Sequence, residues 1–186
     1  MRILFISNVH PPFHFGGYEE LCAEVRLVLI ARGHHVQVLT SQAQHDGDIA
    51  EPDIYRSLHT EINYQGRCPG ISSLFNASRN LKRDIESVCD VITESKPDIV
   101  VVWGVWNLSR KILEYIENLP DIKVVYYIAD RWPSLSGAIR LHWISHEPNR
   151  VKKVVKLISW RFIKYIFSNA LANPVLKYKH VLCASQ

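Results

Sequence analysis

A chain of 186 residues with 47% apolar and 22% charged side chains has the balance of one folded globular domain, not of a disordered chain. No run of 18 apolar residues is present, which argues against a membrane-spanning helix, and the apolar run after Arg2 stops at Asn8, too short for a secretory leader. The net charge of +4 is uneven: Pro148 to Gln186 carries eight Lys or Arg and no acid, while the preceding residues hold 14 basic against 18 acidic ones, so a localised anionic partner is expected and general nucleic-acid affinity is not.

Arg2–Ser7 is apolar almost throughout and reads as a strand covered on both faces. After a proline-stiffened loop and the pair Gly16-Gly17, Tyr18–Arg32 reads as a helix with Leu21, Val25, Val28 and Leu29 inward and Gly33 ending it. His35–Thr40 is the second strand, Ser41–Ile54 a polar loop, and Tyr55–Tyr64 holds a short strand. Ser72–Ser95 is a helix whose Leu74, Leu81, Ile85, Val88 and Ile92 follow helical steps, ended by Pro97. Asp98–Trp103 is a buried strand, and Asn107 is placed to cap a helix running to Asn118. Lys123–Ile128 is a further strand followed by an irregular stretch to Gly137, Val151–Ser168 is a helix, and His180–Ala184 is a last strand. Strands and helices alternating at these lengths imply an α/β fold with a doubly wound, mainly parallel Rossmann-like sheet.

Cys22, Cys68, Cys89 and Cys183 form no Cys-x-x-Cys pair and have no His at zinc spacing, so reduced, mostly buried thiols and a cytoplasmic setting are expected. Ligands of open α/β sheets bind beyond the C-terminal strand ends, and a helix N-terminus there attracts anions. Gly16-Gly17 therefore suits a phosphate, although a Gly-Gly pair also serves simply to shape a turn. The spacing Gly-x-Gly-x-x-Gly is missing, the second strand ends in Thr40-Ser41 where a dinucleotide site places an acid, and no Walker pattern exists.

Asn8-Val9-His10-Pro11-Pro12, Gly16-Gly17-Tyr18-Glu19 and Ala31-Arg32-Gly33-His34-His35-Val36, in that order, resemble the opening of family 4 retaining glycosyltransferases. Lys96-Pro97-Asp98 with the strand after it, Ile128-Ala129-Asp130-Arg131-Trp132-Pro133 and Val181-Leu182-Cys183-Ala184-Ser185 are similar to later segments of the same family, so the resemblance spans almost the whole chain. It implies the N-terminal, acceptor-side half of a GT-B architecture over residues 1–186, with the donor-binding C-terminal domain absent from this chain and little or no turnover from the half alone. It also implies a nucleotide diphosphate-sugar as co-substrate, with UDP, and UDP-glucose within that class, as the first choice. No cofactor and no obligatory metal are expected. The acceptor would be a glycan or a lipid-linked glycan in polysaccharide or glycoconjugate synthesis. The competing reading is a non-catalytic Rossmann-type module that binds a nucleotide or phosphate.

Carried over residue by residue, Gly16 and Gly17 match the turn that approaches the donor diphosphate. Glu19 matches the family acid, yet a Glu in a first helical turn also compensates the helix dipole, the reading preferred here. Asp130 is the catalytic candidate, able to orient a sugar hydroxyl or assist its deprotonation, or else to cap its loop. Many family members carry a His just before this acid; here the residue is Ala129, and Arg131 either supplies charge to a phosphate or faces solvent. His10 is placed to bond a sugar hydroxyl, and His14 is read as incidental. Trp103 and Trp106 suit stacking on an acceptor sugar as well as they suit core packing, and Asn107 is either a sugar ligand or a helix cap.

On a helical wheel Val151, Val154, Val155, Ile158, Phe162 and Ile166 share one face, expected to pack on the sheet. The opposite face carries Lys152, Lys153, Lys156 and Lys164 with Trp160, Ile163 and Phe167, a composition that suits peripheral attachment to an anionic inner-membrane surface. A solvated basic face and a contact with the donor domain are the alternatives.

Overall fold

In the computed structural model, which describes residues 1–13, 16–42, 51–62, 71–144, 150–166 and 173–183, the short apolar runs become the strands of one sheet. These are β1 (Arg2–Ile6), β2 (His35–Ser41), β3 (Ile54–Leu58), β4 (Ile99–Val102), β5 (Lys123–Ile128) and β6 (His180–Cys183). All pair in parallel, in the order β3-β2-β1-β4-β5-β6. The chain winds outward from β1 through β2 to β3, then returns to β1's other side with β4, with Ile3 opposite Ile99 and Ile6 opposite Val102. The crevice between the C-terminal ends of β1 and β4 is therefore the topological switch point, where open α/β sheets hold ligands.

Alternation along the strands divides the core into two layers. Leu4, Ile6, Val100, Val102 and Tyr126 pack on one side under α2 (Ile71–Ser95) and α3 (Arg110–Glu117). Ile3, Phe5, Val36 and Val38 pack on the other under α1 (Gly17–Ala31), which contributes buried Cys22 with Leu21, Val25 and Leu29. Val28, expected inside, is 49% exposed because it lies off the edge of the stripe centred on Cys22. Gly33 ends α1 as expected: its φ of +82° is left-handed, and the His34 N–H reaches back to the Leu29 carbonyl at 3.1 Å.

Four further expectations are corrected. α3 begins at Arg110 with Ser109 at its cap position, so Asn107 is not the cap. A helix the sequence reading left out, α4 (Ala138–Ile144), follows Gly137. The last helix, α5 (Arg150–Ile166), buries Ile163 and packs it with Trp160 against Ile139, Ile62 and Ala77, not against the sheet. The stripe assigned to the interior is the one that faces out: Val154, Val155, Ile158, Phe162 and Ile166 are all exposed. Phe167, His14, Cys68 and the side chains of Leu74, Val151, Lys152, Lys153 and Lys156 lie outside the described residues. Cys22, Cys89 and Cys183 are free thiols; Cys22 alone of these is buried, which pushes its thiol pKa up, so the expectation of mostly buried cysteines does not hold.

Candidate functional site

The loop leaving β1 is held by hydrogen bonds within the protein. Ser7 donates through Oγ to the Val9 carbonyl at 2.7 Å, and the Asn8 carbonyl accepts from Ser41 Oγ at 2.5 Å. Asn8 Oδ1 accepts the Asn107 N–H at 3.2 Å, which ties the ends of β1 and β4 together across the switch point. Arg56 donates to the carbonyls of His10 at 3.0 Å and Pro11 at 2.5 Å, fixing the Pro11–Pro12 segment, whose peptide bond is cis. His10 is only 3% exposed; burial first, then the charges of Arg56 and Arg26, lowers its pKa to about 4, so the ring is neutral at pH 7. Its Nδ1 is buried without a protein partner.

Gly16 and Gly17 are exposed, and a Cβ added at either would meet nothing within 4 Å. Among the described residues nothing beyond their own turn crowds them, as an approach by a bulky anion requires. Glu19 Oε2 accepts the Gly16 N–H at 3.1 Å and is itself buried, the helix-start role preferred from the sequence.

Tyr18 joins this turn to the far side of the site. Its ring lies on Gly104, where an added Cβ would come within 3.2 Å of Tyr18 Cγ, and it meets Tyr127 edge-on at 5.8 Å. Its hydroxyl accepts the Ala129 N–H, so the residue after Gly17 is bonded to the residue before Asp130. Burial raises the Tyr18 pKa, so the phenol stays protonated. Asp130 itself is exposed, and its Oδ1 accepts the Trp132 N–H at 2.9 Å in an Asx turn. Arg131 is exposed beside it.

The remaining sequence candidates are less accessible. Trp103 is buried between Phe5 at 5.3 Å and Tyr127 at 4.7 Å, so its ring is core and not a stacking surface for a sugar. Trp106 is 37% exposed. Asn107 is fully buried, and its amide makes a two-way clamp on Ile62: Nδ2 donates to the Ile62 carbonyl and Oδ1 accepts the Ile62 N–H, both at 2.9 Å. With its carbonyl also accepting the Glu61 N–H at 2.8 Å, Asn107 positions a loop, and its fully buried amide is out of reach of a sugar.

That loop brings in groups the sequence reading missed. Glu61 Oε2 accepts the Ile139 N–H at 3.3 Å at the start of α4, and Gly137 leaves room for the carboxylate, since a Cβ there would meet Oε2 at 3.1 Å. Burial outweighs these N–H groups and the charge of Arg110, pushing the Glu61 pKa up to about 7. His59 donates from Nδ1 to Asp84 Oδ1 at 2.7 Å, and its backbone N–H reaches the same oxygen at 3.0 Å. Asp84, 2% exposed, has its pKa raised by burial. One signal was visible: Asp84 falls on the inward stripe between Leu81 and Val88, where an acid needs a partner. Nothing in the sequence identifies His59 as that partner.

No protein-family model matches the chain, and no curated protein matches it in sequence. Among solved structures it is similar to a sucrose-phosphate synthase from Thermosynechococcus elongatus, with a TM-score of 0.52 and 14% identity. The likeness is one of fold: a six-stranded, all-parallel, Rossmann-like α/β sheet. The match covers 98% of this chain but 47% of the synthase chain, so the protein spans about half the length of its structural neighbour. Among the described residues no group of His, Cys, Asp and Glu is arranged to hold a metal ion, and no helix is long and apolar enough to cross a membrane.

Proposed function

We propose that this chain is the acceptor-side, N-terminal half of a retaining GT-B glycosyltransferase. It takes part in moving a sugar from a nucleotide diphosphate-sugar, UDP-linked in the first instance, to a glycan or lipid-linked acceptor. One observation carries the reading: an unobstructed Gly16-Gly17 helix start is bonded through Tyr18 to the turn bearing Asp130, across a parallel-sheet switch point. The first N–H groups of a helix lack intrahelical acceptors, and the partial positive charge there stabilises an anion. A diphosphate carries its greatest charge as it departs, so donors fixed beforehand act more strongly on the transition state than on the bound donor.

In the same reading the anomeric C–O bond to the diphosphate breaks while a C–O bond to the acceptor hydroxyl forms on the same face of the sugar. The acceptor's proton passes to a diphosphate oxygen, and no histidine is required at position 129. Asp130, held by the Trp132 N–H, orients a sugar hydroxyl, and Arg131 adds charge beside it. His10, buried and neutral at pH 7, takes a structural role in this reading. The donor-binding wall belongs to a second lobe, which the 47% coverage of the structural neighbour leaves room for.

The test is to incubate the full-length natural protein with a panel of nucleotide-sugars and measure free nucleotide. Release with at least one donor is expected. No release from any donor, with nucleotide nevertheless bound, would favour a non-catalytic binding module instead.

A further inference from the structure

We infer that the outward face of α5 docks on an anionic lipid bilayer and lies in its interface, beside the candidate site. Val154, Ile158, Phe162, Tyr165 and Ile166 form a broad apolar arc on this helix, with Phe162 67% and Tyr165 85% exposed. The other side of the helix is occupied, since Ile163 is 6% exposed and packs with Trp160 on α4, α2 and the Ile62 loop. Membrane contact through Trp160, which the sequence pattern suggested, is thus replaced by contact through Ile158, Phe162 and Tyr165.

Charge selects lipid as the occupant. Arg161 and Lys164 are exposed on α5 and the helix carries no acid, so a surface that covers this face meets positive charge alone. A bilayer with anionic headgroups supplies both halves of the complement, negative charge at the surface and acyl chains just beneath. Arg161 sits inside the apolar arc, where it lines a shallow recess of about 420 Å³ together with Ile158, Phe162 and Tyr165. An arginine in an apolar wall suits a phosphate headgroup whose chains run along the neighbouring side chains. α1 provides an internal contrast. It exposes Leu27, Val28 and Ile30, but its Glu20 and Glu24 balance Arg26 and Arg32, so that face carries no excess of positive charge.

The placement also has a consequence for function. α5 rests on Ile62 and Ile139, and Ile62 is clamped by Asn107 at the end of β4. Docking through α5 therefore brings the C-terminal edge of the sheet close to the lipid surface, where a lipid-linked acceptor would present its head group.

The experiment is vesicle flotation of the full-length natural protein with phosphatidylcholine alone and with phosphatidylcholine containing phosphatidylglycerol. Wild type should float with the anionic vesicles, less so at high salt, and not with the neutral ones. Ile158→Ser/Phe162→Ser should weaken that partition by about tenfold or more. Arg161→Gln/Lys164→Gln should weaken it as well, and Leu27→Ser/Val28→Ser should leave it unchanged. All these positions are exposed, and a thermal melt checks that each variant is folded. Absence of flotation by the wild type overturns the inference, as does equal flotation by both α5 variants. A dimer that Ile158→Ser/Phe162→Ser dissociates, in a protein that ignores lipid, would assign the face to a second copy and likewise overturn it. No sugar donor enters the assay, so its outcome is independent of the sugar-transfer reading.

Discussion

Replacing Glu61 by Gln should stabilise the protein at neutral and alkaline pH and leave it nearly unchanged in acid. The carboxyl is neutral in the fold up to about pH 7, against an ordinary value of 4.5, because burial outweighs the Ile139 and Ala138 N–H groups and Arg110. The folded state therefore binds a proton that the unfolded chain releases between those two values. Stability is fully present below pH 4.5 and is lost as pH rises toward 7. A shift of this size corresponds to about 2–3 kcal/mol once partial solvent access is allowed for. Glutamine keeps a carbonyl to accept the Ile139 N–H and carries no charge. Urea unfolding of both proteins at one pH below 4.5 and one above 7 should show a difference that grows by about 2–3 kcal/mol in favour of Glu61→Gln. The wild-type profile alone would mislead, because buried His10 has the opposite sign: its contribution is present above pH 6.5 and is lost as pH falls through about 4. The two trends oppose each other over the same window, and only the difference between variants isolates Glu61. A difference that stays flat with pH, or favours the wild type in alkali, would refute this account of the loop.

Asn107→Ala removes both bonds to Ile62 and should cost about 2–4 kcal/mol, seen as a melting-temperature fall on the order of 10 °C; a change of a few tenths of a kcal/mol would mean the clamp is dispensable. Tyr18→Phe keeps the ring on Gly104 but strips the acceptor from the Ala129 N–H, so it should cost about 1 kcal/mol in stability and lower turnover more than stability. Treating the full-length enzyme with EDTA should leave nucleotide release unchanged; loss of release that added divalent metal restores would contradict the proposed metal-independent transfer.

The strands were legible because β1, β4 and β5 lie between two helical layers, and such strands read as continuous apolar runs. α1 and α2 were legible from helical steps, and Gly33 from its place after the last turn. The errors share one physical origin, partners distant in sequence. Asn107 looked like a cap because it precedes a helix, yet its amide is bonded to Ile62, 45 residues earlier. Trp103 looked available for stacking because it ends a strand, but β1 and β5 on either side enclose it with Phe5 and Tyr127. For α5 both faces of the wheel are apolar, and periodicity cannot choose between them. The choice was made by what lies beneath: Ile163 and Trp160 meet Ile139 of α4, Ile62 and Ala77.

The central claim is that the glycine pair opening α1 receives the donor diphosphate, and Gly17→Val in the full-length enzyme tests it most directly. Among the described residues, nothing beyond the glycine's chain neighbours and the backbone of its own helix lies within 4 Å of the position a Cβ would take at Gly17, so the fold should tolerate the change with a melting temperature close to wild type. Nucleotide release from the preferred donor should nevertheless fall by about 100-fold or more, because the new methyl groups occupy the space of the phosphates. A folded Gly17→Val enzyme that releases nucleotide at the wild-type rate would contradict the account.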